Sequence, residues 1–194
     1  MFGMFGEKTF EQKTDKAYNL ALDFSSKISS TLWGAKMDGL IDRDILYSLP
    51  ISIYVEMLSN VAHNGQYIGS DNPNIDRLRS ALQYKIATFV YNNDGIKHPS
   101  NDISENMFVK HFVKISDEQC KAHIELGRYL LENHPINSQE DAINGFAIYG
   151  DELLRSILHS DVSEEVLEHI GQWFFTQLLQ WQQKSKPIIV KYFA

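Results

Sequence analysis

Residues 72–90 read NPNIDRLRSALQYKIATFV, and their spacing decides the fold class. Ile75, Leu78, Leu82, Ile86, Phe89 and Val90 recur at three- and four-residue steps, which gathers them on one face of an α-helix; a half-buried strand would need strict alternation. Asn72 suits the cap position, where a side-chain oxygen accepts from a free backbone N–H, and Pro73 suits the first turn, where a missing N–H costs nothing. Asn92-Asn93-Asp94-Gly95 stops the run.

The same period extends in both directions. Thr9 and Gln12 form a capping box before a helix running to about Leu32, with Phe10, Ala17, Leu20, Phe24 and Ile28 inward. A short segment from Leu40 to Leu49 leads to Pro50, which reads as the first turn of a second long helix ending at Gly65. Ile51, Tyr54, Val55 and Leu58 share its apolar face. Beyond Gly95 the polar connection through Pro99 and Asn101 reads as a mobile loop. Met107, Phe108, Phe112 and Val113 predict another helix, and Ser116 with Gln119 opens the next, which reaches His134-Pro135. Ser138 with Asp141 starts one whose inner face includes Phe146, Tyr149, Leu153 and Ile157, with Gly145 and Gly150 placed for close helix packing.

The last helix, Val162 to Lys184, is apolar on two sides: Ile170, Phe174, Leu178 and Trp181 on one, Phe175 and Leu179 nearly opposite. Such a helix is either buried centrally or shared with a partner. After Pro187 the chain reads Ile188-Ile189-Val190-Lys191-Tyr192-Phe193-Ala194, an apolar, β-prone, extended tail. The expectation is a single all-α domain over residues 1–194, a bundle of seven or eight mostly antiparallel helices with its core in 7–186 and the tail in 187–194.

Composition narrows the function. With 194 residues, 43% hydrophobic and 22% charged, the chain can bury one core without disulfides, and Cys120 is its single cysteine. No charge-free stretch approaches the ~20 apolar residues of a membrane span, and Met1 to Gly6 lacks the basic start of a signal peptide. A cytoplasmic protein is expected. Eighteen Lys and Arg against 25 Asp and Glu give a net charge of −7, which repels phosphate backbones, so nucleic acid is not an expected partner.

Chemistry-bearing patterns are sparse. Neither G-x-x-x-x-G-K-[ST], G-x-G-x-x-G nor G-x-S-x-G occurs. Cys120 falls on the apolar side of its helix, as a buried thiol does. Asp71, Asn72, Asn74 and Asp76 resemble a calcium loop, but Asp76 and Leu82 stand where Gly and Glu are needed. Glu56, Ser59 and His63 share a helix face that reads as solvated. His159, Glu165 and His169 are the alternative metal set, set against the reading that acids near residue 164 merely match a helix N-terminus. Arg128 and His134 match the loose R-x(4–6)-H pattern of HEPN-fold ribonucleases, also small helical bundles, although six residues at 100° each separate the two side chains around a helix. Trp33, Trp173 and Trp181 could line a ligand pocket.

The expected function is therefore a non-enzymatic protein-binding module of the immunity, adaptor, chaperone or regulatory kind, with no cofactor. Its expected binding residues are Phe175, Leu179, Ile188, Ile189, Val190, Tyr192 and Phe193, its partner is another protein, and self-association through the tail is a further expectation. The alternative is a small helical enzyme using Arg128 and His134 or a bundle metal site.

Overall fold

Thr9 and Gln12 cap each other: the Gln12 amide donates to Thr9 Oγ1 at 3.3 Å and the Thr9 amide donates to Gln12 Oε1 at 3.1 Å. This exchange starts the first of six helices found among the described residues, which in a computed structural model are 9–34, 39–62, 73–93, 103–135, 137–159 and 162–193. The helices are α1 (Phe10–Gly34), α2 (Arg43–Ala62), α3 (Pro73–Asn93), α4 (Glu105–Asn133), α5 (Gln139–Ile157) and α6 (Glu164–Phe193). Ser104, Ser138 and Ser163 accept from the amides of Met107, Asp141 and Val166 at the starts of α4, α5 and α6. The only β pairing among the described residues is an isolated bridge between Ile41 and Leu158. No described helix is long and apolar enough to cross a membrane.

Among the described residues six helices stand where seven or eight were expected, because two assumed boundaries are interior positions. Ser116 does not cap a new helix; it is buried within α4, where its hydroxyl accepts from Gln83 Nε2 of α3 at 3.1 Å. Pro50 does not open a helix either, because α2 begins at Arg43 and runs through it. An interior proline frees the carbonyl four residues earlier, here that of Leu46. Ser25 of α1 donates to that carbonyl at 3.1 Å, and Gln119 of α4 donates to the adjacent carbonyl of Ile45 at 3.2 Å. Tertiary hydrogen bonds thus keep continuous a helix that local rules would divide.

Consecutive helices run antiparallel. Phe10 meets Phe193 at 5.8 Å and Phe24 stacks on Trp181 at 4.6 Å, so α1 and α6 run in opposite directions. Ser25 reaches Leu46 while Tyr54 reaches Ala17, which orients α1 against α2. α2 is the central helix, packed on α1, α3, α4 and α6, and Leu46 to Ser59 is buried almost without break. Centrality therefore belongs to α2 and not, as one reading of its two apolar sides allowed, to α6.

The expected extended tail is helical. α6 continues through Pro187 to Phe193, and Ile189 and Phe193 are fully buried. They lie four residues apart and continue the face of Trp181 and Ser185 onto α1. Burying each contributes roughly 1.5–3 kcal/mol, comparable to the ~3 kcal/mol an interior proline costs.

Candidate docking surface on the α5–α6 hairpin

α5 packs mainly on α4 and α6, with Tyr149 reaching Glu56 of α2, and its remaining side faces outward. Ile143 is 59% exposed there, Ala147 is exposed and Phe146 half-buried. Gly150 lets α6 approach closely, since a Cβ at this position would stand 2.9 Å from Phe175 Cδ2. Phe175 also meets Phe146 at 5.3 Å between ring centres. Gly145, by contrast, has nothing within 4 Å of a built Cβ, so close packing accounts for only one of the two glycines.

Two clefts open on this face and meet at the Phe146–Phe175 contact. One, of about 730 Å³, is bordered by Asp151, Arg155, Glu164, Glu168, Gln172 and Phe175. The other, of about 460 Å³, is bordered by Phe146, Leu179, Gln182, Lys186, Pro187 and Val190. The first is acidic and the second apolar, with a lysine at its border. Arg155 holds Glu164 through two contacts of 2.9 and 3.1 Å and Asp151 through one of 3.0 Å. Hydrogen bonding to Arg155 lowers the Glu164 pKa below the usual carboxylate range, and hydrogen bonding to Glu164, then Asp151, raises that of Arg155. Arg155 is thus already engaged. Glu168 and Lys186 have no ion-pair partner among the described residues.

The expected binding residues divide between surface and core. Phe175, Leu179 and Val190 border the groove, and Leu179 is 37% exposed. Ile189 and Phe193 are inside the core, Ile188 is half-buried, and Tyr192 is half-buried against the core with Lys13 Nζ 5.7 Å from its ring. Phe146, Glu168, Gln172 and Lys186 also border the clefts and were not among the expected residues. Glu168, Gln172 and Lys186 belong to an α6 stripe at three- and four-residue steps, but only the packing of α5 shows which stripe is left outside.

The remaining candidates do not converge. Arg128 is exposed on α4, and His134 is its C-cap residue, donating its backbone N–H to Leu130 O at 2.7 Å. The helix does not bring these two side chains to one face. His159 pairs with Asp42 at 3.2 Å, while Glu165 and His169 are exposed on α6; among the described residues no three His, Cys, Asp or Glu side chains are placed to hold a metal. Trp181 is buried between Phe24 and Tyr54, and its indole N–H donates to Leu20 O at 2.9 Å, so it is part of the core and not of a ligand pocket. Burial pushes the Cys120 thiol up to about 12. Asp71, Asn72, His63, Asp161, the side chain of Trp33 and the connection at 94–102 lie outside the described residues.

A polar seam runs along α2 and α4, which are parallel: Ser48 bonds Gln119, and Ser52 bonds His123, at a constant offset of 71 residues. One turn further, Glu56 faces Gly127 and accepts from Tyr149 at 3.3 Å. Ser59 is buried and Glu56 half-buried, so the helix face read as solvated is an internal one. Ser52 Oγ donates to Leu49 O at 2.7 Å and lies 2.6 Å from His123 Nδ1, which leaves the serine oxygen to accept from Nδ1–H. The direction of this bond is the reverse of that between a nucleophile and its base, both side chains are buried, and neither borders the α5–α6 clefts or the cleft at the N-terminus of α2.

Comparison with known protein families, curated proteins and solved structures returns no match for this chain.

Proposed function

We propose that this chain is a non-enzymatic protein-binding module whose docking surface is the outer face of the α5–α6 hairpin. The ligand that fits is an amphipathic helix of another polypeptide, laid along α6 with its apolar side over Phe146, Phe175 and Leu179. Its charges complement the groove, with a base opposite Glu168 and an acid opposite Lys186. One observation carries the reading: an acidic cleft and an apolar one meet at Phe146 and Phe175, and the Glu168 carboxylate and the Lys186 ammonium at their borders have no ion pair within the described chain. An apolar strip rimmed by polar residues is the usual composition of a helix-binding groove. Ile189 and Phe193 belong to the core in this reading and act only by holding α6 in place.

A photo-crosslinking amino acid at Leu179, introduced in the cell that makes the protein, tests the proposal. The expected result is a covalent adduct with a polypeptide, reduced at least about tenfold by Ala147→Glu, because a charge placed in the cleft that Ala147 borders with Phe175 is poorly solvated once the groove is covered. The melting temperature should not change, since Ala147 is exposed. Absence of any polypeptide adduct at Leu179 overturns the proposal.

A further inference from the structure

We infer that the helix seated on this face is α6 of a second copy of the same chain, the two helices lying antiparallel about a twofold axis level with Gln177. The inference rests on the docking surface proposed above and names its occupant.

The sequence of the exposed stripe carries it. Glu168, Gln172, Phe175, Leu179, Gln182 and Lys186 follow at steps of four, three, four, three and four residues, which keeps all six on one side of α6. That order of steps reads the same in both directions. Counted from Gln177, Phe175 and Leu179 stand two residues to either side, Gln172 and Gln182 five, and Glu168 and Lys186 nine. A twofold axis perpendicular to two antiparallel helices exchanges these positions. Phe175 then packs on the partner's Leu179, Gln172 pairs with the partner's Gln182, and Glu168 meets the partner's Lys186, about 13.5 Å from the axis at 1.5 Å per residue. Every contact occurs twice, as an isologous interface requires.

Chemical matching accompanies the geometry. Apolar meets apolar, amide meets amide, and acid meets base. A heterologous partner imposes no symmetry on the groove it occupies, whereas self-pairing requires this one. Parallel pairing would set Glu168 against the partner's Glu168 and Lys186 against the partner's Lys186, so charge selects the antiparallel arrangement. Each two consecutive steps span seven residues, the heptad spacing of helices that pack nearly in line. Glu168 and Lys186 have no ion-pair partner among the described residues of the single chain, so both are available. Phe175 is already held by Gly150 and Phe146, which leaves its outer edge as a fixed anchor.

Sedimentation equilibrium of the full chain at low salt, with circular dichroism to follow folding, tests the inference. Wild type should show a reversible monomer–dimer equilibrium. Leu179→Glu should abolish it. Glu168→Lys and Lys186→Glu should each raise the dissociation constant at least about tenfold, because each converts two attractive pairs into two repulsive ones. An equimolar mixture of these two variants should associate within about threefold of wild type, since both cross-pairs become attractive again. Only a copy-to-copy antiparallel contact makes two defective variants complement each other. A wild-type chain that stays monomeric to about 500 µM, well above the range of specific association, overturns the inference. So does a dimer indifferent to charge reversal, or a mixture that fails to associate. If the chain is monomeric while Leu179 crosslinks to a different polypeptide, the second copy is wrong and the docking surface stands; if Leu179 crosslinks to no polypeptide, both fall.

Discussion

His123 Nδ1 lies 2.6 Å from Ser52 Oγ within the seam where α2 and α4 run parallel, and both side chains are buried. The contact ties the two helices in the register at which Ser48 meets Gln119 and Glu56 faces Gly127. Burial also holds His123 neutral, lowering its pKa from 6.5 to about 4.

That shift predicts an acid-sensitive fold. Between pH 6.5 and about 4 the unfolded chain binds a proton at this position and the folded chain does not, so stability falls as pH falls through that window. At about 1.36 kcal/mol per unit the full loss is roughly 3 kcal/mol, levelling off below the folded pKa. Urea titrations of wild type and His123→Asn across this range should show a steeper loss for wild type. Equal slopes would remove His123 as the cause.

The two α5 glycines should respond to alanine with opposite sign. Gly145→Ala meets nothing within 4 Å and removes a helix-weakening residue, so it should stabilise by about 0.5–1 kcal/mol. Gly150→Ala puts a Cβ 2.9 Å from Phe175 and should destabilise by roughly 1–3 kcal/mol. Differential scanning calorimetry distinguishes them: in a chain of this size each kcal/mol moves the melting temperature by about 2–4 °C.

Ser25 and Pro50 should be coupled. Ser25→Ala leaves the buried Leu46 carbonyl without the hydroxyl that satisfies it and should cost about 1–3 kcal/mol. In a Pro50→Ala background, where the restored N–H can bond the same carbonyl, the cost should shrink by at least about half. A double-mutant cycle by chemical denaturation measures this, and additive effects would show that the proline and the hydroxyl act independently.

The end of α6 should matter to folding. Phe193→Ala removes a fully buried ring that packs edge-on against Phe10 at 5.8 Å, and should cost about 3–5 kcal/mol. Lys191→Ala, at an exposed neighbouring position, should change stability by less than about 0.5 kcal/mol. Comparable effects in the two variants would contradict the placement of Phe193 in the core.

Much of the fold was legible because its signals are local. Pro73, Thr9 with Gln12 and Ser138 with Asp141 each mark a helix start through groups three residues apart or nearer. The prolines misled. Pro50 and Pro187 read as a beginning and an end, yet both are interior, because Ser25 and Gln119 satisfy the carbonyls around the first and the burial of Ile189 and Phe193 holds the helix past the second. The proposed docking surface was half legible: Phe175 and Leu179 were singled out, whereas Glu168 and Lys186 look like any solvated charges until α5 is seen to leave their stripe open.

Sequence by itself determined the all-α class, because a 3.6-residue apolar period and side-chain caps act within a single helix. Tertiary structure decided where helices join, that α2 and not α6 occupies the centre, and which side of α6 remains outside. Those outcomes depend on burial and hydrogen bonds supplied by residues far away in the chain. A single segment contains the apolar face but not the surface that covers it.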